Sequence, residues 1–72
     1  MEYVKITKRV AGRTVIDLAY LGNDEVKAFK RFYRDYPDHT PTCINMQVVD
    51  DNDPKWVEWF KAARACGCVY GL

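Results

Sequence analysis

Long apolar runs are missing from this chain: no stretch approaches the roughly 20 residues that a bilayer-spanning helix requires. The opening MEYVKITKRV alternates polar and apolar residues and lacks the apolar core and cleavage site of a secretory signal. Glycine and proline are scarce, with four and three copies, and low-complexity tracts, linkers and internal repeats are absent. These absences point to one folded domain over residues 1–72, with neither a disordered tail nor a second core. Three cysteines are an odd number, too few for a disulfide scaffold, and read as reduced thiols in a cytoplasmic protein.

Catalytic signatures are equally scarce. The single histidine, His39, excludes histidine-rich acid–base sites, and no phosphate-cradling glycine loop, G-x-S-x-G or H-E-x-x-H pattern occurs. A Cys43–His39 pair would need an activating environment and an oxyanion site, for which so small a domain has little room. His39, Cys43, Cys66 and Cys68 are the one conceivable zinc set, but H-x3-C with C-x-C departs from the usual knuckle spacings. Asp50 to Asp53 lacks the glycine turn and the distant glutamate of a calcium loop. The reading is a protein that is not an enzyme, with no metal and no cofactor.

What is present is segregated charge. The net charge is only +1. Residues 1–34 carry eight Lys/Arg and four Asp/Glu, whereas residues 35–72 carry three and six. One basic flank and one acidic flank result.

The segment EYVKITKRVAGRTVIDLAYL predicts a β-hairpin. A three-residue loop, Val10-Ala11-Gly12, pairs Ile6 with Ile16 and Val4 with Leu18 on one face, and Lys5 with Asp17, Thr7 with Val15 and Tyr3 with Ala19 on the other. A two-residue turn at Ala11-Gly12 sets Ile6 against Asp17, so the longer loop is the expectation. Gly22 to Pro37 predicts a helix capped by Gly22 or Asn23, with Val26, Phe29, Phe32, Tyr33 and Tyr36 inward alongside Ala28. CINMQVV predicts a third strand with Ile44, Met46 and Val48 on one side. A second helix follows, capped by Asp53, opened by Pro54 and stopped by Gly67, with Trp56, Phe60 and Ala63 central to its apolar face. CVYGL offers a short last strand. The expected fold is a two-layer α+β domain, ββαβα, with strand order 2-1-3 and both helices on one face of a small antiparallel or mixed sheet.

Three surfaces then compete as binding sites. Lys27, Lys30, Arg31 and Arg34 fall within an arc of about 100° on the outer side of the first helix, suited to phosphates or an acidic protein surface. An open sheet face would present Tyr3, Lys5, Thr7 and Arg9 beside Val15, Asp17 and Ala19, and Cys43, Asn45, Gln47 and Val49 from the third strand. Asp50 and Asp51 would form an acidic patch. A solvated helix face and an idle sheet face explain the same residues without function. The aromatics between the basic residues belong to the core rather than to a base-stacking platform, because helical phase sends the two sets to different sides.

The expected function is a small interaction protein that occludes one macromolecular partner, a protein or a ribonucleoprotein and not a membrane. By size and style it is like the phage and mobile-element products that inhibit host defence complexes. A nucleic-acid-binding module built on the basic stripe with Lys5 and Arg9 is the alternative, and a homodimer through an exposed strand edge is a third reading.

Overall fold

Ala11 and Gly12 both take positive φ, 52° and 78°, and this left-handed pair makes the two-residue turn whose twist matches that of the flanking strands. It joins β1 (Glu2–Val10) to β2 (Arg13–Leu21). Val10 lies opposite Arg13 and Arg9 opposite Thr14, but the next pair is Lys8 with Ile16, leaving Val15 as the extra residue of a β-bulge. The bulge resolves the conflict that a short turn creates. Beyond it Ile6 faces Leu18, Val4 faces Tyr20, Lys5 faces Ala19 and Thr7 faces Asp17. The three-residue loop and its register are therefore corrected, by a shift of two residues that leaves each side chain on its expected face.

The structure, a computed structural model, describes residues 1–39 and 42–72. The expected loop from Tyr36 to Thr42 includes Thr40 and Pro41, which lie outside the described residues. The element order is β1, β2, α1 (Glu25–Asp35), β3 (Ile44–Asp50), α2 (Val57–Ala65) and β4 (Val69–Tyr70). The sheet is mixed, in the order β3-β1-β2-β4, with β3 antiparallel to β1 and β4 parallel to β2. The α+β class and the expected 2-1-3 order hold, and the closing strand exists.

The helices lie on opposite faces of the sheet, which corrects the two-layer arrangement. Ala28 and Phe32 of α1 pack on Val4, Ile6, Ile16, Leu18 and Tyr20. Phe60 of α2 packs on Tyr3, Ala19 and Val49, which point the other way along the same strands. The reason is topological. The crossover from β2 to β3 runs one way across the sheet, and the crossover from β3 to β4 runs back the other way. Both connect parallel strands, and parallel crossovers share one hand. Reversing direction at fixed hand moves the helix to the other face.

Local signals end the helices. Asp24, rather than Gly22 or Asn23, caps α1, its side chain accepting from the Lys27 amide at 3.0 Å. Val26, expected inward, is 64% exposed, because the buried line runs through Ala28, Phe32 and Tyr36. Regular α2 begins at Val57, three residues later than Asp53 and Pro54 imply. Asp53 instead organises a lead-in turn, accepting from the Lys55 amide with its side chain at 3.0 Å and from the Trp56 amide with its carbonyl at 2.8 Å. Gly67, at φ 76°, ends α2 with the amide of Gly67 on Arg64 and that of Cys68 on Ala63, the paired bonds of a Schellman stop.

Candidate partner-binding surfaces

The α1 stripe survives folding in reduced form. Lys27, Lys30 and Arg34 are exposed, and among the described residues no ion pair reaches Lys27 or Lys30. Arg31 turns toward Asp35, its Nε 3.5 Å from Oδ2, an ion pair by distance without hydrogen-bond geometry. Asp35 is itself anchored by the Tyr20 hydroxyl, which donates to Oδ2 at 2.9 Å. Burial, and next this carboxylate, push the Tyr20 phenol pKa up. Asp35 thus draws Arg31 inward and also lies 3.8 Å from Arg34 Nε, which stays exposed with Lys27 and Lys30 within an arc of about 60°. The i,i+4 spacing of Arg31 and Asp35 was legible in sequence; the buried phenol that fixes Asp35 was not.

The sheet face read as open is half covered by α2, a correction that follows from the helices' opposite placement. Tyr3 and Lys5, two of the candidate contact residues, are buried there. Tyr3 packs against Phe60 with the rings tilted by 47° and their centroids 4.8 Å apart. The Lys5 ammonium sits 5.1 and 4.9 Å from the Trp56 and Trp59 rings and 3.1 Å from Asp17 Oδ1. Trp59 Nε1 donates to the other Asp17 oxygen at 3.1 Å. A buried cation is tolerated only when it is paired and well bonded, and Lys5 has its anion and two aromatic faces. It holds the fold together and does not extend the basic stripe. Arg9, at the far end of β1, is exposed and donates to the Gly12 carbonyl at 2.8 Å, tying down the turn.

The acidic patch is also partly spent. Arg64 reaches Asp51 Oδ2 at 2.6 Å while stacking over Phe60 and Tyr3. The Met1 amino group lies 3.4 Å from Asp50 and 3.3 Å from Asp51. Burial raises the Asp51 carboxyl, but Arg64 and the amino group outweigh it and hold the group below the usual carboxylate range. Asp50 also accepts from the Asn52 amide at 2.8 Å. These two carboxylates close the turn into α2 more than they face a partner.

The zinc set is not assembled. His39 packs its ring near Phe32 and Tyr36, Cys43 is exposed at φ 65°, and Cys66 and Cys68 flank the α2 stop with sulfurs 3.3 Å apart. Among the described residues no group of three or more His, Cys, Asp or Glu could hold a metal ion. Asp17, Trp59, Ala62, Ala63, Cys66 and Cys68 line a cleft of about 350 Å³. The contact with Cys66, then burial and nearby charge, raise the Cys68 thiol pKa. That is the reverse of what a thiolate nucleophile needs.

No family model matches this chain, and neither a curated protein nor a solved structure is similar to it. Among the described residues no helix is long and apolar enough to cross a membrane.

Proposed function

We propose that the protein is a non-enzymatic, cytoplasmic binding protein that occludes an acidic surface of one macromolecular partner, a protein or ribonucleoprotein, with the outer face of α1. The observation that carries this reading is the exposed trio Lys27, Lys30 and Arg34, of which, among the described residues, only Arg34 meets a carboxylate, Asp35 at 3.8 Å, on a helix whose opposite side is locked to the core by Phe32. A rigid helix presents its charges at fixed spacing, so binding costs little ordering of the backbone. In its narrower form the partner is a host defence complex and the protein an inhibitor from a phage or mobile element, a reading supported by size and architecture. Nucleic acid is the second reading, favoured by the same charges but weakened by the burial of Lys5.

The two readings separate in one experiment. Labelled single- and double-stranded DNA and RNA are titrated with the protein at about 50 and 200 mM salt, the range over which phosphate contacts lose most of their affinity. The proposal expects no binding at either salt, together with capture of an acidic protein that a Lys30→Glu/Arg34→Glu variant no longer retains. Salt-sensitive nucleic-acid binding lost in that variant would replace the proposal with the second reading.

A further inference from the structure

The two edges of the sheet are unequal. β4 closes one side with two residues, Val69 and Tyr70, and very short edge strands are a device that prevents sheets from adding to one another. β3 closes the other side with seven residues in unbroken register with β1. Residues 44–48, Ile-Asn-Met-Gln-Val, contain no charge and no proline, and the β1–β3 ladder has no bulge. Among the described residues of this strand there is no charge before Asp50, no proline and no bulge to blunt the edge.

The hydrogen bonds at the strand ends show which backbone groups face outward. Gly22 donates to the Glu2 carbonyl, so the even residues of β1 bond to β2. Asp51 donates to the Met1 carbonyl, so its odd residues bond to β3. On β3, Asn45, Gln47 and Val49 therefore bond inward, opposite Thr7, Lys5 and Tyr3. The amide and carbonyl of Ile44, Met46 and Val48 point away from the sheet, and among the described residues no backbone bond meets them. Asp50 is different, because its carbonyl already accepts from the Asp53 amide at 3.1 Å.

We propose that two copies of the chain join along β3, antiparallel and edge to edge, making one continuous sheet with its two-fold axis at Met46. In this register Met46 opposes the partner's Met46, and Ile44 opposes the partner's Val48, with the reciprocal pair across the axis. All three pairs are of the type that exchanges two backbone bonds. On the α1 side, partly exposed Ile44, Met46 and Val48 cover one another. On the other side Asn45 meets the partner's Gln47, amide to amide. No charged side chain enters the paired segment. Of the two neighbouring in-phase registers, one sets Ile44 against the partner's Asp50, whose carbonyl is already used, and the other sets Val48 against the partner's Thr42, which lies outside β3. Self-pairing, rather than capture of a foreign strand, follows from this symmetry: the segment meets its own hydrogen-bonding and side-chain pattern. A two-fold axis perpendicular to the sheet keeps both α1 helices on one side. The inference rests on β3 alone and stands apart from the reading of α1.

The test is sedimentation of the wild-type chain from micromolar to millimolar concentration, with amide exchange followed by NMR over the same range. The mass is expected to rise from 8.4 kDa to twice that value. The amides of Ile44, Met46 and Val48, unprotected in dilute protein, become protected in step with it, whereas those of Asn45, Gln47 and Val49 are protected throughout. Val48→Pro removes an amide that β1 does not use, and Val48→Lys adds a charge at the seam. Each should abolish the doubling, and Val48→Lys carries the test if the proline variant fails to fold. A mass fixed at 8.4 kDa, a dimer that survives the folded variants, or a doubling that leaves the three amides unprotected overturns the proposal.

Discussion

The two faces of the sheet are closed by different chemistry. On the α1 face Val4, Ile6, Leu18 and Phe32 form an aliphatic and aromatic layer, and its polar groups include three phenols and one buried lysine, Lys8, at the hairpin end. Tyr20 donates to Asp35, and the Tyr36 and Tyr70 hydroxyls meet at 2.9 Å. On the α2 face a smaller apolar set around Phe60 is rimmed by charges held against aromatic rings, Lys5 between Trp56 and Trp59, and Arg64 over Phe60. A thin layer can be closed by cations when their stems cover apolar surface and their heads find rings and carboxylates. Both tryptophans belong to the α2 face and the Tyr20–Tyr36–Tyr70 cluster to the α1 face, with Tyr3 the one tyrosine packed under α2, so tryptophan signals report on the α2 face and tyrosine signals mainly on the α1 face.

The largest expected effects come from deleting each central ring. Phe32→Ala and Phe60→Ala should each cost about 3–5 kcal/mol, a large share of what so small a domain commands. Tryptophan fluorescence and tyrosine near-ultraviolet dichroism should be lost at the same denaturant concentration in both variants, because every strand serves both layers. A Phe60→Ala protein that loses its tryptophan signal while the tyrosine signal persists would make the faces separate units.

Smaller effects should distinguish the polar groups. Tyr20→Phe removes a hydrogen bond to a carboxylate and should cost about 1.5–3 kcal/mol. Asp17→Asn removes the anion of buried Lys5, but Asp17 is 42% exposed, so about 1–2 kcal/mol is expected. Lys5→Met, which fills the same space between the indoles without charge, should be close to neutral in urea melts. If Lys5→Met is costlier than Asp17→Asn, the cation and not its hydrocarbon stem holds that face.

The gentlest probe is pH. The hydrogen bond to Tyr70, and then burial, push the Tyr36 phenol up to about 12, and Tyr20 is also raised. The folded chain therefore holds these protons more tightly than the unfolded chain, whose phenols ionise near about 10. Their stabilising contribution is complete below that value and is lost as pH rises toward the folded pKa. Absorbance at alkaline pH should show these tyrosines ionising late, together with loss of the α1 face. Ionisation of all five tyrosines at the ordinary value with the fold intact would remove the phenol network from the comparison.

Much of this was legible in the sequence. Alternation assigned Ile6, Leu18, Met46 and Val48 to one face, helical phase separated Phe32 from Lys30, and Gly67 marked the end of α2. Local signals failed where the outcome depended on a distant element. Lys5 looks exposed until β4 is placed at the far edge, because only then must the second crossover reverse and carry α2 over Lys5 and Tyr3. The basic stripe was read as four free charges, but two of them, Arg31 and Arg34, meet Asp35, which is fixed by Tyr20, 15 residues away. The hairpin was read as a choice between two loops, whereas a short turn and a bulge together satisfy both the turn chemistry and the faces.

That bulge has a consequence for how the chain can change length. Val15 is unopposed in the ladder and 47% exposed, and removing it would leave Thr14 and Ile16 opposite the same partners, Arg9 and Lys8, in a regular ladder. The hairpin thus holds one residue of slack. A one-residue deletion there is expected to leave Ile16, Leu18 and Tyr20 facing inward, with a melting profile close to that of the intact chain. One deleted between Leu18 and Tyr20 lies too deep to be absorbed and would turn the strand inside out. Tolerance of insertions and deletions in this domain is a property of one position, set by the geometry of a turn four residues away.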